Sequence, residues 1–558
     1  MFMRLRLLLL LFVFAALPAQ AEELYGLAMH GNPKYGPEAA HLEYANPEAP
    51  KGGVFKEAAT GSFDTLNPYA IKGTPAAGLN LIYDRLMRRV WDEPFTMYPL
   101  IAERVDVPQD RSAITFYIDP RARFHDGSPI TVEDVRFSFE TLKEKGRPNM
   151  RRIYRLVESV ESIDNSITFR FGEGYDRETV MIMALMPVLS KKWWEGRAFE
   201  STLLEPPVSN GPYRIKSVDP GRKIVYERVG DYWAKDLFVN AGHYNFDEVS
   251  YDYFRDDTVA LEAFNKGTLN FRREFSMKKW LQSYDTKQDI VQDEIKHSRP
   301  EQVRALIFNM RRKPFNDITI RKALALAFDE EWIGKNIYYG QQKRIHSYFP
   351  NSVLAAQQDT PPLLSQRERL KKAAELFDAA GWAVVDGKRM KHGIPLSFEL
   401  ILSAPEEEKI ALNFKKSLER LGVEMNIRVL DSASFQLRRQ NYDYDMMLHH
   451  WQNSLSPGTE QLLYWGCDAA KQPGRFNYAG LCDKEIDTLA RAIADAESYE
   501  ELSALTRKLD RMLVSKTMAV ALFYKGADSI AYRPPVRRPR VTALYGAVPE
   551  TWWAAKNP

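Results

Sequence analysis

The sequence predicts an α/β protein built from two or three domains. From Gly53 onward, short β-rich runs alternate with amphipathic helical stretches. The 558 residues exceed what one typical domain holds. The composition, 45% hydrophobic and 12% aromatic, supplies a large core and leaves rings to spare for binding surfaces. No fixed-period repeat or low-complexity tract interrupts the pattern.

The segments "SAITFYID" (112–119) and "SITFRF" (166–171) alternate, or are rich in β-branched and aromatic residues, as strands do. Between them Thr131 stands three positions before Asp134, a capping arrangement. Val132, Val135 and Phe139 then recur at helical spacing. Helices are expected at 317–340 and 364–382, the second stopped by Gly381. A strand at 394–403, a helix at 406–423 and a strand at 424–431 follow; a helix at 498–516 leads to a closing strand at 518–526. The run "YRPPVRRPR" (532–540) is excluded from a central strand, since proline lacks the amide donor.

Residues 1–21 read as a secretory signal peptide. Arg4 and Arg6 give a positive start, Leu7 to Leu17 the apolar core, and Ala19-Gln20-Ala21 a small-residue cleavage pattern. The apolar run is short for a permanent span, the alternative being a retained N-terminal anchor. Arg4 and Arg6 are the only charges in this stretch, so its removal takes the formal net charge from +3 to +1. That near-balance argues against a nucleic-acid partner. The first cysteine is Cys467, so no lipid anchor is expected after the signal, which favours a free periplasmic protein. Cys467 and Cys482 are the two cysteines; in an exported protein pairing is the default. A two-cysteine metal site is the rival, although no second ligand pair of suitable spacing lies nearby.

One stretch is unusual: "HHWQNSLSPGTEQLLYWGC" (449–467) packs two histidines, a tryptophan, neutral polar groups and a Pro-Gly turn after an apolar run. Metal site, catalytic site and binding wall are the three readings. Adjacent positions on a strand point to opposite faces, which argues against His449 and His450 chelating one metal. HExxH, GxSxG, Walker-type and GxGxxG patterns are absent. His125-Asp126-Gly127 reads as a turn before the helix near Thr131, and Asp134 as a first-turn acid favoured by the helix dipole. No enzyme and no cofactor are expected.

Five segments, in this order and spacing, carry a family resemblance: "FDTLNPY" (63–69), "FHDGSPITVEDVRFSF" (124–139), "SNGPYRIKSVDPGRKIVYERVGDYW" (209–233), "ALEAFNKGTLNF" (260–271) and "IFNMRRKPFNDITIRKALALAFD" (307–329). Across roughly residues 45–530 the chain resembles the periplasmic solute-binding proteins of family 5, the peptide- and nickel-binding class. "SLSPGTEQ" (454–461) resembles the YejA-type branch, associated with oligopeptides and microcin C. The resemblance implies an α/β, three-lobed periplasmic-binding-protein fold (type II, cluster C), two lobes closing around a ligand cleft. After the signal peptide, lobe I is expected at 22–65, 208–290 and 521–558, lobe II at 66–207 and lobe III at 291–520. It implies a monomer that carries a peptide-like ligand to an inner-membrane ABC permease. An oligosaccharide or metal chelate is the alternative within binding; a secreted hydrolase or a chaperone is the alternative outside it.

The family's pocket wall maps onto residues 438–458. Trp451 matches a pocket tryptophan, with Gln452, Asn453 and Ser454 expected to meet the ligand's polar backbone. Ser454 stands where oligopeptide-binding members carry the aspartate that pairs with the peptide amine, a departure that leaves Glu460 as the nearest acidic substitute. Arg439 matches a position that meets a peptide carboxylate, while Leu448 replaces the second such arginine. Phe523 and Tyr524 lie in the final strand, where the family offers an aromatic. Asn309 and Tyr213 read as hinge and core residues.

Overall fold

The computed structural model describes residues 22–285, 289–357 and 364–556; the proposed signal peptide lies outside them. The first sheet is five-stranded and antiparallel, in the order Glu22–Leu24, Ala102–Val107, Ala113–Ile118, Ser166–Phe171, Val157–Ile163. Its inward residues Val105, Ile114, Phe116, Ile167 and Phe169 are sealed in one core with Val135, Phe139 and Leu142 of the helix Val132–Lys145. That helix starts where its sequence dictates: Thr131 and Asp134 cap each other reciprocally, satisfying orphan amides of the first turn. The stretch at His125–Gly127 is a turn, with Gly127 at φ +81° and the Gly127 amide donating to Phe124 O.

A four-stranded sheet, Tyr213–Asp219, Lys223–Arg228, Glu248–Phe254, Val54–Thr60, closes with a parallel pair. Beside it Ala527–Tyr532 runs between Phe271–Glu274 and Val291–Lys296. It stops at Tyr532, the first residue of the proline-rich run and two positions before its first proline; Val536–Arg537 beyond it makes only a two-stranded ladder with Trp553–Ala554. Tyr213 is fully buried and its hydroxyl donates to Phe246 O at 2.8 Å, a core role.

The remaining large sheet is mixed, in the order Glu424–Val429, Ser397–Leu402, Met446–Trp451, Val303–Phe308, Ala519–Ala521. Its central strands are apolar on both faces, as a sheet covered twice requires. Leu306, Phe308, Leu400, Met446 and Leu448 pack under Leu324, Phe377 and Phe414; Ala305, Ile307, Ile401, Met447 and Trp451 pack under Trp465, Ile486, Leu502 and Leu509. Asn309, fully buried, donates to Tyr442 O and Tyr444 O and ties the end of Val303–Phe308 to the segment that leads into Met446–Trp451.

Several expectations shift. The helix expected at 317–340 is two, Ile318–Ala327 and Glu330–Asn336, because Asp329 caps a second start. The closing strand at 518–526 breaks after Ala521: Phe523–Tyr524 pairs instead with Lys343–Arg344. Glu22–Leu24 and Leu27–Ala28, expected in lobe I, pair with strands of the 66–207 stretch. Val291–Lys296, expected in lobe III, pairs with Ala527–Tyr532 of the expected lobe I.

Candidate ligand-binding cavity

Met446–Trp451 lies between two other strands, parallel to one and antiparallel to the next, with Val303 opposite Trp451. The chain leaves the sheet at its carboxyl end, the place where α/β sheets offer their ligand crevices. A network holds this exit rigid. Asn453, buried, donates to Tyr348 O at 2.6 Å and accepts from Gln461 Nε2 at 2.8 Å; Gln461 Oε1 in turn accepts from Trp465 Nε1 at 2.9 Å. Ser454 Oγ accepts from the Ser456 amide, and the Tyr464 hydroxyl donates to Gln452 O. After Pro457-Gly458 the helix Glu460–Trp465 begins, and Glu460 accepts from the Gly458 amide at 2.9 Å.

This exit forms one wall of a cavity of about 640 Å³. Gln452, Asn453, Ser454 and Glu460 line it, as do Ser456 and Thr459. The facing wall comes from sequence hundreds of residues away: Arg89, Phe95, Arg152, and Asp176, Glu178 and Thr179 at the start of the helix Arg177–Ala184. The Thr459 hydroxyl donates to Asp176 Oδ2 at 2.6 Å and joins the walls. Burial, with Glu460 and Asp176 close by, pushes the Glu178 carboxyl up to about 7, against the pull of Arg152 and Arg89. Burial raises Glu460 as well, opposed by its hydrogen bonds from Gln461 and Gly458. Ser456, only 9% exposed, carries a hydroxyl without a partner among the described residues.

Four expected ligand residues are not among those lining this cavity. Trp451 is 1% exposed: its indole packs against Trp465, Tyr348 and Tyr478, and Nε1 donates to Phe476 O at 3.1 Å. Its period-two position on a twice-covered sheet points it into the core, behind the wall rather than on it. Arg439 is held by His449 Nε2 at 2.7 Å and Gln436 Oε1 at 2.5 Å. Phe523 packs against Tyr338 with ring centres 4.9 Å apart and planes tilted by 37°, and Tyr524 sits in the short ladder with Lys343.

His449 and His450 do not point fully apart. The His449 and His450 rings approach to 4.7 Å. Burial, His450 and Arg439 drop the His449 imidazole to about 3, so it stays neutral and accepts from Arg439. No group of three or more His, Cys, Asp or Glu suited to a metal ion occurs among the described residues. Cys467 and Cys482 form a disulfide.

The model for bacterial extracellular solute-binding proteins, family 5, matches residues 96–472. The chain belongs to this family. Among similar proteins of the group is a peptidoglycan-binding protein, YepA, from Agrobacterium fabrum, 37% identical over 96% of this chain and 96% of its own. A probable peptide-binding protein, YejA, from the same organism is 34% identical over 98% and 97%. The fold is that of the oligopeptide-binding protein AppA from Bacillus subtilis, solved with a nonapeptide: TM-score 0.66, 20% identity, 91% of this chain and all of that one. No helix among the described residues is long and apolar enough to cross a membrane.

The sequence pointed to one wall only. Arg89, Arg152, Asp176 and Glu178 carry no motif. Asp176 and Glu178 read locally as a helix cap and a first-turn acid, and only the fold brings them opposite Glu460.

Proposed function

We propose that this solute-binding protein captures a short peptide or peptide-like solute in the cavity between Asp176–Glu178 and Gln452–Glu460. It works as a periplasmic monomer, delivers the solute to an inner-membrane ABC permease, and leaves it chemically unchanged. The observation that carries the reading is the cavity itself. At about 640 Å³ it falls in the range that encloses a drug-sized ligand, and its lining mixes acids, arginines and neutral amides. Glu460, on the wall where Ser454 carries no charge, and Glu178 on the facing wall suit a ligand ammonium; Gln452 and Asn453 suit peptide N–H and C=O groups. Relatives named a peptidoglycan-binding protein and a probable peptide-binding protein support the same class. Closure of the two walls on the ligand, with Thr459 meeting Asp176, gives the permease a distinct form to read.

Native mass spectrometry of protein purified from its own periplasm tests this. The reading predicts a co-purifying peptide-like mass that survives long incubation intact. A bound sugar or metal chelate, or steady release of cleaved product, contradicts it.

A further inference from the structure

Arg89 ends the strand Met87–Arg89, opposite Met97, and reaches the cavity from a wall of aromatic rings. Its guanidinium carbon lies 4.5 Å from the Phe95 ring centre, 4.9 Å from Trp91 and 5.0 Å from Tyr545. Pro94 O accepts from Nη2 at 3.3 Å, the Tyr545 hydroxyl lies within side-chain hydrogen-bond reach of the guanidinium, and Nε is buried with no hydrogen-bond partner among the described residues. No carboxylate comes within ion-pair distance of Arg89 among the described residues. Its neighbour Arg88 is committed elsewhere, to Asn240 and Tyr244. The charged groups sharing the cavity with Arg89 are the acids Glu178, Asp176 and Glu460 and the cation Arg152.

A half-buried guanidinium set over three rings, with no carboxylate partner among the described residues, leaves donors free for an anion from outside the chain. Arginine, unlike lysine, offers a planar fork that matches a carboxylate with two parallel hydrogen bonds, and aromatic faces fix that fork in place. We infer that Arg89 is the anion receptor of the cavity and binds a carboxylate of the ligand. The acids Glu178 and Glu460 take the ligand's cation, so the cavity selects ligands that carry both charges within a short span. The carboxylate is either the C-terminus of a short peptide or an acidic side chain. This inference rests on the peptide reading above and adds to it a charge requirement and a residue.

The test titrates the full mature chain calorimetrically with a tripeptide library, each sequence made as free acid and as C-terminal amide, with and without an Asp or Glu side chain. The prediction is binding of free acids at least about tenfold tighter than of matched neutral amides, the scale of one charged hydrogen-bonded pair. Amides that regain affinity through an Asp or Glu would assign the site to a side-chain carboxylate. Arg89→Met should erase the preference and Arg89→Lys should recover only part of it. Because Arg89 packs on three rings, the unmodified chain's own acid-to-amide ratio decides the matter if Arg89→Met fails to fold. Equal affinity for acids and neutral amides overturns the role of Arg89 while leaving peptide capture standing. Binding of neither form overturns both.

Discussion

The Thr459 hydroxyl donates to Asp176 Oδ2 at 2.6 Å, across 283 residues of sequence. The same aspartate caps its helix through Oδ1, accepting from the Thr179 amide at 3.0 Å. One carboxylate thus fixes the helix start that presents Glu178 and ties that helix to the opposite wall.

Thr459→Val removes the tie and spares the cap. A hydrogen bond to a charged group contributes about 1.5–3 kcal/mol, so ligand affinity should fall roughly tenfold or more. Thermal stability should hardly change. Titration calorimetry paired with small-angle scattering reads both affinity and closure; unchanged values in both would remove this contact from the closing step.

Ligand capture should depend on pH through Glu178. Its carboxyl, raised to about 7 by burial and its acidic neighbours, holds a proton in the empty cavity at lower pH. A ligand ammonium favours the ionised form, so binding below pH 7 releases a proton and affinity should rise with pH between about 5 and 7. Calorimetry in buffers of different ionisation enthalpy should count up to one proton released near pH 6. Glu178→Gln should flatten the profile; a profile unchanged by that substitution would place the linkage elsewhere.

Trp451 is a structural residue in this account. Truncation to Ala should cost about 3–5 kcal/mol of stability, as for other large buried aromatics. Thermal unfolding reports it as a lower Tm. Lost binding at an unchanged Tm would return the indole to the ligand.

The Cys467–Cys482 bridge closes the loop that carries Phe476 and Tyr478, the residues backing Trp451. Closing a loop of this size stabilises by roughly 3 kcal/mol. Reduction, or replacement of both cysteines by Ser, should lower the denaturant midpoint accordingly. Labelling of the unreduced, denatured chain should find no free thiol; two labelled thiols would reject the bridge.

Local signals in the sequence led to local structure. The Thr131–Asp134 pair marked a helix start because the capping geometry needs only four consecutive residues. The proline-rich run ended a strand because proline's missing donor acts wherever it stands. The expectation of a pocket wall at 438–458 came from the family resemblance; of that stretch, Gln452, Asn453, Ser454 and Ser456 line the cavity. Trp451 was misplaced by one position: the residue that ends the strand still obeys its alternation, and the exposed wall begins with Gln452. The other wall was illegible for a different reason. Arg89, Arg152 and Glu178 differ from solvent-facing charges only through partners far off in the chain, and no local pattern encodes those.

The most direct test is a crystal structure of the protein with its co-purified ligand retained. The account predicts electron density for a short peptide-like molecule in the cavity, with an amine at Glu178 and Glu460, a carboxylate at Arg89, and main-chain groups against Gln452 and Asn453. Ligand seated anywhere else, with this cavity holding only solvent, would contradict it.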